Sequence, residues 1–218
     1  MERPSERPRH EEYPDQTRAA VIAAARRLFA EDGFFQTKVE QIAKLSRVSP
    51  ATVYAQCGGK HGLLRSLMDS WTQAPMVVGF QQEALAAADA ALVMRTLSTA
   101  YLQITKKWGD VIRVVIDVAP HDDESGAVLA TARGRHNSSL AEICRHLEGL
   151  GAFRDDVDAE LATRIITYYY GIDGLLRTRE VFGWSIERSN EWLLAHACAA
   201  VLRSPANPAS PMKGKEGT

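Results

Sequence analysis

Apolar residues recur along most of the chain with the spacing of an α-helix rather than that of a β-strand. Between Asp15 and Glu31 they lie three and four residues apart, which predicts one amphipathic helix, and Gly33 follows as a stop signal. The residues of that apolar stripe are Val21, Ile22, Ala25, Leu28 and Phe29. No two segments show the alternation expected of paired strands. The pattern therefore predicts an all-α protein.

Two short helices are predicted next. Residues 37–40 read Thr-Lys-Val-Glu, an S/T-x-x-E capping box that predicts a helix start. Residues 46–48 are too few to form anything but a turn. Ser49 then suits an N-cap with Pro50 at the first helical position, and this third helix is expected to end near Gly58.

The remaining helices are predicted to be longer. A fourth helix is expected to start at about Lys60, and Pro75 to Gly79 interrupt the pattern. Further helices are predicted at roughly 81–107, 110–118, 124–148, 157–181 and 186–203. The polar, Pro-containing ends predict a flexible arm at 1–14 and a disordered tail at 205–218. The predicted organisation is a head at 15–60 followed by a helical body at 61–204.

Composition excludes several classes of protein. The chain has 218 residues, 45% of them hydrophobic, and a net charge of -1. No apolar run approaches the ~20 residues needed to span a bilayer, and the charged N-terminus does not resemble a signal peptide. Three widely spaced cysteines without a C-x-x-C pair favour reduced thiols in the cytoplasm.

No chemistry-bearing motif points to catalysis. The sequence has no G-x-S-x-G, P-loop or H-E-x-x-H motif, so we expect neither enzymatic activity nor a cofactor. The run His121 to Glu124 could be read as a metal site. Contiguous residues rarely converge on one ion, however, and acidic residues are ordinary at a helix start. We therefore expect no metal site.

Two short capped helices joined by a three- or four-residue turn, and braced by a preceding helix, form the helix-turn-helix pattern. Over about 45 residues, from Val21-Ile22 to Leu63-Leu64, the spacing resembles the head of the tetracycline-repressor (TetR) family. The matched positions include Gly33-Phe34, Thr37-Lys38-Val39, Ile42-Ala43, Val48-Ser49, Thr52-Val53-Tyr54 and Lys60.

The resemblance implies a transcription regulator, most simply a repressor. Its head, 15–60, would bind a palindromic double-stranded DNA operator. Its body, 61–204, would bind a small, largely apolar effector and form a homodimer. A helical dimer that acts through protein contacts, with a degenerate DNA-binding head, is the alternative.

The resemblance also implies which residues of the head contact DNA. Thr37, Tyr54 and Lys60 correspond to phosphate contacts, and Thr52 to a base or phosphate contact. The full predicted set is Thr37, Lys38, Arg47, Ser49, Pro50, Ala51, Thr52, Tyr54, Gln56 and Lys60. Because residues 50–56 contain no Arg, Lys or Asn, direct base reading is expected to be sparse and DNA shape to contribute.

The head departs from the family pattern at two positions. Arg47 stands where a turn glycine is usual, and a non-glycine residue in a left-handed turn costs roughly 1 kcal/mol. Arg47 could offset part of that cost by contacting a phosphate. Cys57 replaces a larger aromatic residue, which predicts a less tightly packed head.

The candidate sites of the body are predicted with less detail. Aromatic and sulfur-containing side chains suit an apolar pocket, and the predicted effector-binding residues are Trp71, Met94, Tyr101, Trp108, Tyr168 and Tyr169. The last two helices resemble the dimer interface of the family, and the predicted interface residues are Ile172, Leu175, Leu176, Trp192, Leu193, His196 and Ala200. Packing within one chain is the alternative for both sets.

Overall fold

The computed structural model describes residues 9–203, with side chains described for 15–75 and 79–203. The described part contains ten α-helices and no named strand, which confirms the all-α prediction. The predicted tail and the first eight residues of the predicted arm lie outside it. The helices are α1 (Arg9–Asp32), α2 (Val39–Ser46), α3 (Pro50–Cys57), α4 (Gly59–Thr72), α5 (Pro75–Ala86), α6 (Ala90–Val118), α7 (Asp123–Gly149), α8 (Ala159–Tyr169), α9 (Gly174–Phe182) and α10 (Ile186–Val201), with a 3-10 turn at Ala119–His121 between α6 and α7.

The chain divides into two compact units. The first comprises Met1–Thr72 and Asp110–Leu129, and the second comprises Gln73–Gly109 and Ala130–Thr218. Helices α6 and α7 therefore contribute residues to both units. The predicted head lies in the first unit, together with α4 and the segment around the 3-10 turn.

The core of the first unit explains why its short helices form. Helix α1 packs against α2, α3 and α4. Val21 and Phe29 of α1, Ile42 of α2, Val53 of α3 and Leu63 of α4 are almost fully buried. Isolated helices of eight residues are unstable in water, so α2 and α3 depend on this packing.

The second unit is built around a separate apolar cluster. Met94, Leu147, Ile166 and Ala197 are fully buried members of it, contributed by four different helices. Of the three cysteines, Cys144 and Cys198 lie in this cluster and Cys57 in the core of the first unit. Burial raises the pKa of all three thiols, that of Cys198 to about 11.

Several predicted helix boundaries were wrong. The segment 75–79 does not interrupt the helices but begins α5, because Pro75 occupies the first helical position, where its missing N–H costs nothing. One break lies just before it, between Thr72 and Pro75, and a second, unpredicted break lies between Ala86 and Ala90, where the Asp89 carboxylate accepts the Leu92 N–H at 2.8 Å and starts α6. Helix α6 then continues through the predicted gap at 108–109.

Two further boundaries differ. Helix α1 begins at Arg9 rather than Asp15. The predicted helix 157–181 is broken between Tyr169 and Gly174 into α8 and α9. The Gly174 backbone turns back so tightly that an added Cβ would lie 2.3 Å from the Tyr169 carbonyl oxygen. Glycine is required there, and it favours a break over a continuous helix.

Candidate nucleic-acid interface and body sites

The turn between α2 and α3 has the short length predicted from the sequence. Helix α2 ends at Ser46 and α3 begins at Pro50. Arg47 adopts the left-handed conformation, with φ 58° and ψ 39°, and is the one non-glycine residue with positive φ in the described chain. Its N–H donates to the Lys44 carbonyl, and the Val48 N–H donates to the Ala43 carbonyl. This is the Schellman arrangement, which satisfies the last carbonyls of α2.

Helix α3 starts as predicted. The Ser49 hydroxyl accepts the Thr52 N–H at 3.1 Å and lies 2.9 Å from the Thr52 hydroxyl, and Pro50 is the first helical residue. Helix α3 ends at Cys57 with Gly58 in the left-handed conformation. In this first turn Pro50 has no N–H, and the N–H groups of Thr52 and Val53 donate to Ser49, which leaves the Ala51 N–H to donate to a phosphate.

The start of α2 corrects the predicted capping box by one residue. Lys38 is the N-cap, and its N–H donates to the Gln41 side-chain oxygen at 2.7 Å. Thr37 does not cap α2, because its buried hydroxyl donates to the carbonyls of Leu28 (3.2 Å) and Gly33 (2.8 Å). The Thr37 hydroxyl thus joins the end of α1 to the loop before α2.

The outer face of α3 carries small and polar side chains. Pro50, Ala51 and Tyr54 are exposed, Tyr54 at 59% of its surface, whereas Thr52 and Gln56 are half-buried. The opposite face, with Val53 and Cys57, packs into the core. The face available to a ligand is therefore uncharged and has one aromatic hydroxyl at its centre.

Positive charges flank α3 rather than lie on it. Lys38, Lys44 and Arg47 are exposed. Lys60 is half-buried, with its ammonium 3.4 Å from the Phe35 carbonyl oxygen and 4.7 Å from the centre of the Phe34 ring. Burial lowers the Lys60 pKa. Lys60 is therefore already held by the loop after α1.

Ion pairs join the helices of the first unit. The Arg26 guanidinium donates to both carboxylate oxygens of Asp110, at 2.6 and 2.7 Å, linking α1 to α6. Burial acts to raise the Asp110 pKa, but the hydrogen bonds and the charge of Arg26, together with backbone hydrogen bonds, outweigh it and the pKa is lowered. Arg65 of α4 pairs with Glu124 of α7.

The acidic run at the start of α7 caps a helix, as the sequence favoured. The Asp122 carboxylate accepts the Ser125 hydroxyl at 2.5 Å and the Ser125 N–H at 2.8 Å. These bonds, with a smaller contribution from His61 at 3.2 Å, lower the Asp122 pKa. No group of three His, Cys, Asp or Glu residues within the described chain could hold a metal ion.

The structure separates the predicted effector-binding residues. Met94 and Trp108 are buried and Tyr101 half-buried in the second unit, whereas Trp71 is buried in the first. Tyr168 is 74% exposed, whereas Tyr169 is half-buried and lies against the half-buried Trp192. Tyr170, which the sequence did not single out, is the tyrosine whose ring packs on Tyr101, with ring centres 4.8 Å apart.

Some of the predicted dimer residues are buried within their own chain, and the others are at least partly exposed. Leu175 and Leu193 are buried in the core of their own chain, while Ile172, Leu176 and Ala200 are half-buried. Trp192 stacks on the exposed His196 with ring centres 4.0 Å apart and also contacts Phe182. We call the surface formed by these side chains the aromatic face. Its members are Tyr168, Tyr169, Phe182, Trp184, Trp192 and His196.

A buried polar network in the second unit was missed by sequence reasoning. The Tyr101 hydroxyl lies 2.7 Å from His136 Nε2, which in turn lies 2.9 Å from the Tyr170 carbonyl oxygen. The Asn190 amide donates to the Ser98 hydroxyl at 2.7 Å. Burial lowers the His136 pKa and raises that of Tyr170. Such single polar residues within apolar stripes leave no periodic signal.

Together, the capped α2–turn–α3 element and its supporting α1 define a helix-turn-helix DNA-binding protein of the all-α class. The sequence profile described as "Bacterial regulatory proteins, tetR family" matches residues 21–67, which span the second half of α1, the whole of α2 and α3, and the first part of α4. The head of the chain is thus similar to the DNA-binding domain of the tetR family of transcriptional regulators. No curated protein sequence matches the chain significantly.

Solved structures with the same fold cover nearly the whole chain. A transcriptional regulator from Saccharomonospora viridis in complex with choline has a TM-score of 0.72 and 22% identity over 87% of this chain and 100% of that one. SmeT in complex with triclosan has a TM-score of 0.69 and 16% identity, covering 93% and 99%. PfmR from Thermus thermophilus, a TetR family regulator, has a TM-score of 0.66 and 22% identity, covering 84% and 94%. SmeT is the repressor of the Stenotrophomonas maltophilia multidrug efflux pump SmeDEF.

A helix that crosses a bilayer must be both long and apolar. In the part of the chain that the structure describes, no helix is both long enough and apolar enough to cross a membrane.

Proposed function

We propose that the protein is a cytoplasmic repressor without enzymatic activity, which binds a palindromic DNA operator as a homodimer and is released by a small effector. The observation that carries the proposal is the Ser49-capped helix α3, which follows α2 after three residues and exposes Tyr54. This arrangement suits insertion of α3 into a major groove.

Backbone and flanking contacts are proposed to supply most of the affinity for DNA. Arg47 and Lys38 are exposed beside α3, and the first turn of α3 offers the Ala51 N–H to a phosphate. Pro50, Ala51, Thr52, Tyr54 and Gln56 would face the groove. Because none of them is charged, we expect sequence discrimination to come partly from DNA shape.

A second copy of the chain is the proposed occupant of the aromatic face. One short recognition helix contacts too few bases to be specific, so two heads are needed. Phe182 is 46% exposed although it stacks on Trp184 at 4.4 Å. Clusters of exposed aromatic side chains are typical of protein interfaces.

The proposed effector acts through helices that have residues in both units. Helix α6 carries Tyr101 in the second unit and Asp110, the partner of Arg26, in the first. A shift of α6 that weakens the Arg26–Asp110 pair would move α1 and the head. The structurally similar complexes with choline and triclosan support small-molecule binding by this fold. Such coupling typically amounts to about 1–3 kcal/mol.

The test is fluorescence anisotropy on the DNA upstream of the protein's own gene, at several salt concentrations. We expect binding to weaken steeply with salt. The logarithm of the association constant should fall linearly with the logarithm of the salt concentration, with a slope of about 0.9 per phosphate contacted. Tyr54→Ala should weaken binding at least tenfold. Arg27→Ala, which removes a charge already paired with Glu31, serves as the control. Salt-insensitive binding, or equal losses in both variants, would exclude the proposed interface.

A further inference from the structure

The buried polar network of the second unit has one half that is complete. Tyr101, His136 and the Tyr170 carbonyl form a continuous series of hydrogen bonds. The neutral imidazole, favoured by burial, can donate a hydrogen bond from Nε2 to the carbonyl and accept one from the Tyr101 hydroxyl at Nδ1, 3.1 Å away. This half has no remaining donor or acceptor that needs a ligand.

The other half is incomplete. Asn190 is 7% exposed and Tyr170 is 1% exposed. Within the described chain, neither the Asn190 Oδ1 atom nor the Tyr170 hydroxyl makes a well-formed hydrogen bond. Both lie near Ser98, which accepts the Asn190 amide. Burial raises the pKa of Tyr170, and the approach of the Ser98 hydroxyl to the Tyr170 hydroxyl offsets part of that rise without forming a bond of good geometry. Rotating the Asn190 amide exchanges the positions of Oδ1 and Nδ2 but still leaves one of these two atoms without a partner.

Buried polar groups without partners are uncommon in native proteins and require an explanation. Ser98 lies on α6, Asn190 on α10, and Tyr170 at the break between α8 and α9. The open groups thus meet where three helical elements converge and one of them is interrupted. A molecule bound there would contact α6 and the segment leading to the aromatic face.

The charge of the site restricts the ligand. No Asp, Glu, Lys or Arg with a described side chain is fully buried, so no buried counter-ion could neutralise an ionic group. An ion placed in such a site without a partner would be strongly disfavoured. A hydroxyl group, in contrast, can donate to an amide oxygen and accept from a phenol at the same time.

We infer that Ser98, Tyr170 and Asn190 form the polar recognition point for the effector, and that the effector is an uncharged molecule bearing a hydroxyl or amide group on an apolar body. The inference rests on the proposed function, because it names the chemistry of the same effector. It adds that recognition depends on hydrogen bonds to Tyr170 and Asn190 rather than on apolar contacts alone.

The test uses p-cresol and p-xylene, which are nearly isosteric and differ by a hydroxyl in place of a methyl group, with p-toluate as the anionic probe. Dissociation constants for the full-length protein are measured by ligand-detected NMR. We expect p-cresol to bind at least tenfold more tightly than p-xylene, and p-toluate to bind most weakly. Tyr170→Phe and Ser98→Ala should reduce the preference for p-cresol to less than threefold.

Tyr168→Phe is the matched control, because it removes the same hydroxyl from an exposed neighbour and should leave the preference unchanged. Far-UV circular dichroism verifies that each variant is folded. Equal binding of p-cresol and p-xylene, tighter binding of p-toluate, or binding of none of the probes would overturn the inference. So would a preference that survives both Tyr170→Phe and Ser98→Ala.

Operator binding measured with the same probes separates this inference from the proposed function. If p-cresol and p-xylene bind equally and both weaken DNA binding, effector regulation stands and polar recognition fails. If p-cresol binds selectively but DNA affinity does not change, polar recognition stands and effector regulation fails.

Discussion

The ring of Tyr54 lies directly against the backbone of Gly59. A Cβ atom added at Gly59 would be 2.8 Å from Tyr54 Cε1 and 3.1 Å from Cδ1. Gly59 also has a φ of 77°, which L-amino acids with side chains rarely adopt. The first residue of α4 therefore helps to set the direction in which Tyr54 leaves α3.

Gly59→Ala should displace the Tyr54 ring and also strain the backbone. We expect a loss of about 2–3 kcal/mol in the free energy of unfolding and a clear loss of operator affinity. Gly58→Ala is the matched control, since its φ is 70° but its nearest neighbour would be 3.9 Å away. It should cost about 1 kcal/mol. Equal effects of the two variants on DNA binding would argue against contact-dependent positioning of Tyr54.

Arg47→Gly should separate backbone strain from DNA contact. The left-handed turn suits glycine, so we expect the variant to be more stable by about 0.5–1 kcal/mol in chemical denaturation. Loss of one phosphate contact should nevertheless weaken binding to all DNA sequences alike and reduce the salt slope by about 0.9. Arg47→Lys, which retains the charge, should keep most of the affinity. A loss confined to one operator base pair would contradict a phosphate contact.

The Arg26–Asp110 pair should contribute measurably to the stability of the first unit. Its side chains are about one-third exposed, so after discounting for solvent screening a double-mutant cycle should give a coupling of about 1 kcal/mol. The exposed Arg27–Glu31 pair should give about 0.3–0.5 kcal/mol. Because the folded-state pKa of Asp110 is lowered, its contribution is complete above the ordinary value of 3.8 and is lost as the pH falls through the folded value. Equal couplings for the two pairs would contradict the special role of the bidentate geometry.

His136 should make the protein sensitive to mild acid. Its folded-state pKa lies below the ordinary value of 6.5, so the unfolded chain binds protons first as the pH falls below 6.5. Stability should therefore decrease from pH 7.5 to 5.5. His136→Gln should show a smaller decrease in its thermal unfolding midpoint, whereas the exposed His121→Gln should behave as the unmodified protein does. Parallel pH profiles for all three proteins would exclude a buried neutral imidazole.

Trp192→Glu should disrupt the proposed dimer. The substitution places a charge in the middle of the aromatic face, and charged groups are strongly disfavoured in the core of an interface. We expect a monomer by light scattering at micromolar concentration, with unchanged helical content. Leu92→Glu changes another exposed apolar residue, 40% accessible on α6, and should remain dimeric. A Trp192→Glu protein that elutes as a dimer would remove the aromatic face from the interface.

The sequence predicted the elements whose signals are local. The Ser49-Pro50 start of α3, the turn at Arg47 and the end of α3 at Gly58 each depend on side chains within a few residues, and the structure has all three. Thr37 was misassigned as a cap because its hydroxyl is bound to carbonyls of Leu28 and Gly33, a contact that a local motif does not reveal.

Features that depend on tertiary packing could not be predicted. Periodicity places Tyr168, Tyr169 and Tyr170 on one helix but does not say which of them faces the core. The break after Tyr169, together with the close approach at Gly174, buries Tyr170 and leaves Tyr168 exposed. The pairing of Asn190 with Ser98 joins residues 92 positions apart and has no sequence signature.

The raised pKa values of the three buried thiols have a practical consequence for following the molecule in solution. A protonated, shielded thiol reacts slowly with alkylating reagents, so the natural cysteines should remain unlabelled at neutral pH. A single cysteine introduced on the exposed surface of the first unit would then carry a spin label or a fluorophore selectively. The distance between the two heads of a dimer could thus be recorded with the native residues left in place.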